Sequence, residues 1–137
     1  MRVVFLGSNP SNASPIDEAF THCKSRATLD GWIAKLGLIA SDIEFMNVSN
    51  VKTPKNRRLK LSEVQSAVDS LIDNTYGKIV ICLGCTAKEA MTLVNKRVPR
   101  SYISLPHPSG RNRLLNDSQW LDKTLLEAKE ALSLLAK

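Results

Sequence analysis

Residues 78–84, KIVICLG, set five consecutive apolar side chains between a lysine and a glycine. Three of the five, Ile79, Val80 and Ile81, are β-branched, and the run is too short for a buried helix. A strand with one face in water alternates apolar and polar residues. A run without alternation fits a strand covered on both faces, as in a parallel sheet flanked by helices. Three further runs have strand character: Arg2–Leu6, Ile43–Met46 and Ser101–Leu105. The segments between them carry helical spacing, so strand and helix alternate four times. That order predicts one parallel sheet with right-handed crossovers and helices on both faces.

The helical segments show themselves by periodicity and punctuation. Leu29, Trp32, Ile33 and Leu36 recur at three and four and end at Gly37, a plausible C-terminal cap. Val64, Val68, Leu71 and Ile72 follow Ser62-x-x-Gln65, which has the form of a capping box. Thr86-x-x-Glu89 marks the start of a third helix. Leu121, Leu125, Ala128, Leu132 and Leu135 form the seam of a last one behind Asn116-x-x-Gln119. The 137 residues, 43% of them hydrophobic, suit one domain spanning 1–137, with no internal repeat and no linker. No run approaches the roughly 18 apolar residues of a membrane span. The apolar stretch after Arg2 is too short for a secretory signal. The expectation is a soluble, cytoplasmic monomer.

The three cysteines, Cys23, Cys82 and Cys85, suit a reducing compartment. Cys82-Leu-Gly-Cys85 is a CxxC without a partner pair, so both members are assigned to core packing. Two histidines, His22 and His107, are too few to suggest a zinc site. A formal net charge of +6 points to a polyanionic partner. Lys52, Lys55, Arg57, Arg58 and Lys60 fall within nine residues, and Arg111 and Arg113 share another short segment.

Ligands of open α/β sheets bind beyond the carboxyl ends of the strands. Here those ends lead into Gly7-Ser-Asn-Pro-Ser-Asn12, Asn47-Val-Ser-Asn50, Gly84-Cys-Thr-Ala87 and His107-Pro-Ser-Gly-Arg-Asn-Arg113. They hold no carboxylate pair, no Ser-His-Asp set, no P-loop lysine and no GxGxxG. They do hold asparagines, a histidine and stiff Gly/Pro backbone among cations. An asparagine amide offers one acceptor and two donors on a flat group, matching the N3–H and C4 carbonyl of uracil. A neutral imidazole donates to a second carbonyl and stabilises charge on a departing base, and another asparagine holds a water. Together these groups fit cleavage of a base–sugar bond. Each also has a plain structural use: Asn9 as a turn cap, Asn47 as a strand-end amide, His107 as a hydrogen-bonder pinning its loop, Phe20 as core.

Four stretches, in this order, resemble motifs of the uracil-DNA glycosylase superfamily. FLGSNPS is similar to the Gly-x-Asn-Pro-Gly motif of the mismatch-specific and single-strand-selective branches. NVSNVKTPKNRRLKLSEV resembles a segment of the thermostable iron–sulfur branch, with Asn47 and Asn56 at the same separation. IVICLGCTAKEAM resembles the third strand and the Leu-Gly-x-x-Ala turn, and HPSGRN the last motif. The resemblance implies that Asn9 positions the hydrolytic water, Asn47 reads the uracil edge and His107 supports the leaving base. Gly7, Ser8, Pro10 and Phe20 would surround the base, with Phe20 stacking on it. Ser11, Lys52, Lys55, Arg57, Arg58, Ser109, Gly110, Arg111, Asn112 and Arg113 would contact DNA, Ser109 and Arg111 at the backbone and the vacated hole.

Departures from the family pattern shape the expectation further. Val51 stands where the iron–sulfur branch has a cysteine, so no cluster, metal or other cofactor is expected. Ser11 replaces the second glycine of the first motif, and Asn9 the carboxylate of the most active branch, which implies slower turnover. No pocket lysine suggests lyase chemistry. The expected fold is α/β, a three-layer α/β/α sandwich with a four-stranded parallel sheet in the order 2-1-3-4. The expected protein is a monofunctional glycosylase of base-excision type acting on damaged or single-stranded DNA. Two alternatives stand beside it: a catalytically weak or inactive nucleic-acid-binding or regulatory protein on this fold, and an enzyme acting on another base or on a modified or free nucleotide.

Overall fold

Ile79–Leu83 forms a strand, β3, in which all five residues are buried. The computed structural model describes residues 2–8, 24–49, 57–108 and 117–135. Within them β1 (Val3–Gly7), β2 (Ile43–Asn47), β3 and β4 (Tyr102–Leu105) pair in the order β2-β1-β3-β4. All three pairings are parallel. Val3 to Gly7 lie opposite Ile43 to Asn47, Val3 to Leu6 opposite Ile79 to Cys82, and Val80 to Leu83 opposite Tyr102 to Leu105. The expected fold class and strand order are both present.

Successive side chains on a strand point to opposite faces, and here the two faces feed two separate cores. Val3, Phe5, Ile79, Ile81 and Leu83 meet Leu29, Trp32 and Leu36 of α1 (Lys24–Lys35) and Leu125, Ala128 and Leu132 of α4 (Ser118–Leu135). Val4, Leu6, Val80 and Cys82 meet Val64, Val68 and Leu71 of α2 (Leu61–Asn74). They also meet Ala87, Ala90, Met91 and Val94 of α3 (Cys85–Arg97). A helix pair therefore covers each face, which makes the three layers. No helix among the described residues is long and apolar enough to cross a membrane.

Helix starts depart from the expected punctuation in two places. α2 begins at Leu61, before Ser62, because Glu63 rather than Gln65 closes the first turn: its Oε1 accepts the Lys60 N–H at 2.9 Å and pairs with Arg57 Nη1 at 3.1 Å. The backbone donor first, and Arg57 second, hold the Glu63 carboxyl below its ordinary range. α3 starts at Cys85, and Thr86 lies within its first turn, buried. Asp117 caps the start of α4, accepting from Trp120 N–H at 3.0 Å; the expected cap Asn116 lies outside the described residues. Gly37 does end α1 as expected. Its φ of +74° lets Gly37 N–H reach Ala34 O at 3.1 Å and Leu38 N–H reach Ile33 O at 3.2 Å, the Schellman pattern. The α4 seam stops at Leu132, since Leu135 is partly exposed.

Ile81 is fully buried at the centre of the sheet, paired with Phe5 and Ile103. Ile81→Ala should destabilise the fold by about 2–5 kcal/mol. Leu126→Ala, at a position 57% exposed, should stay within about 0.5 kcal/mol of the parent. Urea titration checks both, with the midpoint moving and the slope constant.

Candidate functional site

β1 and β2 end in register, with Gly7 opposite Asn47. The pairing continues one step further: Val48 N–H donates to Gly7 O at 2.9 Å and Ser49 N–H to Ser8 O at 3.0 Å. This fixes the half-buried Asn47 and Ser8 at the carboxyl edge of the sheet. On its other side β3 ends at Gly84 and β4 runs into Pro106-His107-Pro108, with Pro108 buried and His107 half-buried. Of the residues expected to act on a base, the structure brings Gly7, Ser8, Asn47 and His107 to this one edge. Asn9, Pro10, Ser11, Phe20, Lys52, Lys55, Ser109, Gly110, Arg111, Asn112 and Arg113 lie outside the described residues.

The placement of His107 depends on a residue that the motif reading passed over. Gly84 N–H donates to Leu105 O at 2.9 Å, extending the β3–β4 ladder, while Gly84 O accepts from Lys88 N–H at 3.2 Å in the first turn of α3. Meeting both demands takes φ +92° and ψ 178°, a conformation open essentially to glycine alone. A Cβ built on Gly84 would lie 3.2 Å from His107 Cβ and 3.6 Å from Cδ2. The imidazole thus lies against bare backbone just past the end of β3. A glycine after a strand is a common turn signal; what it makes room for is visible only once β4 is alongside.

Burial penalises the charged imidazolium and lowers the His107 pKa from its ordinary value of 6.5. Near neutral pH the ring is therefore uncharged, with one nitrogen donating and one accepting. Two strand spacings of about 4.8 Å separate the ends of β3 and β2. His107, on the continuation of β4, stands against the β3 end at Gly84, and Asn47 closes β2 at the same edge.

The neighbouring cysteines divide, and the expectation that both pack in the core is corrected. Cys82 is fully buried, its thiol pushed up to about 12 by desolvation, so it is chemically quiet. Cys85 is exposed on the first turn of α3, because the turn at Gly84 rotates it away from the sheet. Among the described residues no three of His, Cys, Asp and Glu gather where a metal ion could be held.

Charge differs between the two edges. At the amino edge Glu44 pairs with Arg2 at 3.3 Å and with Lys78 at 3.0 Å. There too the Arg100 guanidinium caps α2, donating to Ile72 O at 2.9 Å and to the buried Thr75 Oγ1 at 3.3 Å. These three cations are committed to the fold. Of the expected DNA-contacting run, Arg57 is held by Glu63, and Arg58 reaches Glu89 at 3.5 Å with 64% of its side chain exposed. Arg57 thus also anchors α2, a role the clustering of basic residues gave no hint of.

Comparison with known proteins adds a family-level finding. The model of the Uracil DNA glycosylase superfamily matches residues 1–129 of the 137. No curated protein matches the chain.

Two outcomes follow from the close approach of Gly84 and His107. Gly84→Ala should cost about 1–3 kcal/mol through its backbone conformation, with a further part from crowding the ring. Adding His107→Gly should recover only that further part, which a double-mutant cycle by urea titration measures. In the parent protein, NMR should show the His107 ring titrating below 6.5. The unfolded chain then takes up its proton first as pH falls. Stability should decline with falling pH between 6.5 and the lower folded value, and His107→Gln should flatten that part of the curve.

Proposed function

Because the chain belongs to the uracil-DNA glycosylase superfamily, we propose that it is a DNA glycosylase that hydrolyses the N-glycosidic bond of uracil or a related deaminated base. The observation that carries this reading is the placement of His107, seated on Gly84, at the same carboxyl edge of the sheet as Asn47. Duplex stacking hides the reactive atoms, so the target nucleotide is swung out into this edge, at a cost of a few kcal/mol. Asn47 offers the paired donor and acceptor that a uracil edge requires. The C1′–N bond breaks with its electron pair passing to the base, leaving an oxocarbenium-like sugar. His107 donates a hydrogen bond to the carbonyl on which that charge collects. Water, whose positioning the resemblance assigns to Asn9, adds at C1′ and its proton neutralises the departing base anion, leaving an abasic site in an intact strand.

An uncharged donor suits this step because the base acquires its negative charge mainly in the transition state. An interaction that strengthens as the bond breaks accelerates the reaction; one equally strong with the intact nucleotide only tightens binding. The stiffness of Pro106-His107-Pro108 serves the same end, since two fixed φ angles beside the ring limit its reorganisation.

Purified protein should leave alkali-labile sites at uracil in an oligonucleotide, and EDTA should not prevent it. DNA binding without abasic product, across uracil, hypoxanthine, xanthine and mismatched thymine, would favour the non-catalytic alternative. His107→Ala should lower the single-turnover rate by about 10²–10³ while DNA affinity changes little. A rate within threefold of the parent would remove the histidine from the mechanism.

Asn47→Ala should lower turnover on uracil by roughly tenfold or more, in keeping with about 1–3 kcal/mol for buried groups left unpaired. Binding to undamaged DNA, measured in parallel, should hold. If both fell together, Asn47 would be a structural residue.

A further inference from the structure

We propose that a groove on the outer face of α3 carries the phosphate backbone of the DNA strand leading away from the flipped nucleotide. This extends the reading of the carboxyl edge as a DNA site and rests on it. The groove has a volume of ≈ 390 Å³ and runs from Cys85, the residue after Gly84, to Lys96 at the far end of α3. It therefore starts beside the glycine that seats His107.

Three cations line it: Lys88 and Lys96 from α3, and Arg58 from the segment that precedes α2. Among the described residues Glu89 is the one carboxylate in the lining, and it pairs with Arg58 at 3.5 Å. Among them, too, no ion pair engages Lys88 or Lys96, whereas Arg2, Arg26, Lys35, Lys78 and Arg97 each face a carboxylate. The lysines are eight residues apart, on the same side of the helix and about 12 Å along its axis. Between them the floor is apolar, with Leu93 packed on the core below.

The occupant follows from this chemistry. Separated, exposed ammonium groups along an open groove suit a chain with regularly spaced negative charges, and methylene stems with an apolar floor suit sugars between phosphates. The Arg58–Glu89 pair is exposed and weak, so Arg58 can exchange its carboxylate for a phosphate at small cost.

The test uses fluorescent single-stranded oligonucleotides carrying one uracil, with the full chain and a Lys88→Ala/Lys96→Ala variant whose thermal unfolding is first checked to match. The log–log salt slope of affinity should be shallower in the variant by roughly 0.7 for each phosphate that the missing lysines no longer neutralise. Lengthening the strand on one side of the uracil should raise the affinity of the parent and not that of the variant. In a Cys23→Ser background, bound oligonucleotide should also slow alkylation of Cys85 at least fivefold. Unchanged slope, unchanged length dependence and unprotected Cys85, with DNA still bound, would overturn the groove and leave the carboxyl-edge reading intact. Failure of the parent protein to bind any oligonucleotide would overturn that reading and the groove with it. Equal affinity for a polyglutamate peptide, salt-sensitive through the same lysines, would reassign the groove to an acidic protein segment.

Discussion

Burial of β1 and β3 on both faces is the constraint from which the rest of the molecule follows. Val3 to Leu6 and Val80 to Ile81 have no exposed surface at all. Fully burying an aliphatic or aromatic side chain contributes about 1.5–3 kcal/mol, so a strand exposing one face would forfeit half its contribution. Two helix layers are thereby required, and a parallel sheet with crossover helices supplies them in 137 residues. Once both faces are closed, the sheet itself can present polar groups only at its two edges.

Those edges are used differently. At the amino edge, Glu44 with its two cations and the Arg100 cap on α2 are internally neutralised or committed to backbone. At the carboxyl edge the strand ends present Asn47, Ser8 and His107. Close approach there depends on an absent side chain. Gly84 bends the chain from β3 into α3 and leaves bare backbone where the imidazole lies. The same bend sends Cys85 outward and starts the face of α3 that carries Lys88 and Lys96. A single backbone conformation thus links the seat of the His107 ring to the cation-lined groove beside it.

Much of this was legible in the residues. An unbroken apolar run such as Ile79–Leu83 can be satisfied in few ways, and the 3.6-residue spacing of Val64, Val68 and Leu71 in few others. Gly37 signalled its cap because a positive φ at a helix end has one preferred residue. The misreadings arose where local patterns compete. Ser62 and Gln65 have the form of a cap, but Glu63 closes the turn because Arg57 and the Lys60 amide hold it. Thr86 likewise has a capping residue's chemistry and a core position. Cys85 is apolar enough to be assigned inside, and only the direction of the helix leaving Gly84 sends it out.

The sequence by itself determined the layers and the parallel sheet, because periodicity and β-branching report the burial that each segment must find locally. What only the tertiary structure decided are relations between residues far apart in the chain. Gly84 and His107 meet because β4 pairs with β3, and Gly7 and Asn47 because β2 pairs with β1. Arg58 and Lys96 border one groove because the segment before α2 crosses to α3. Such meetings leave no mark in local pattern: residues separated by twenty to forty positions are brought together by strand pairing, and the lowered pKa of His107 belongs to that assembled surrounding rather than to the histidine.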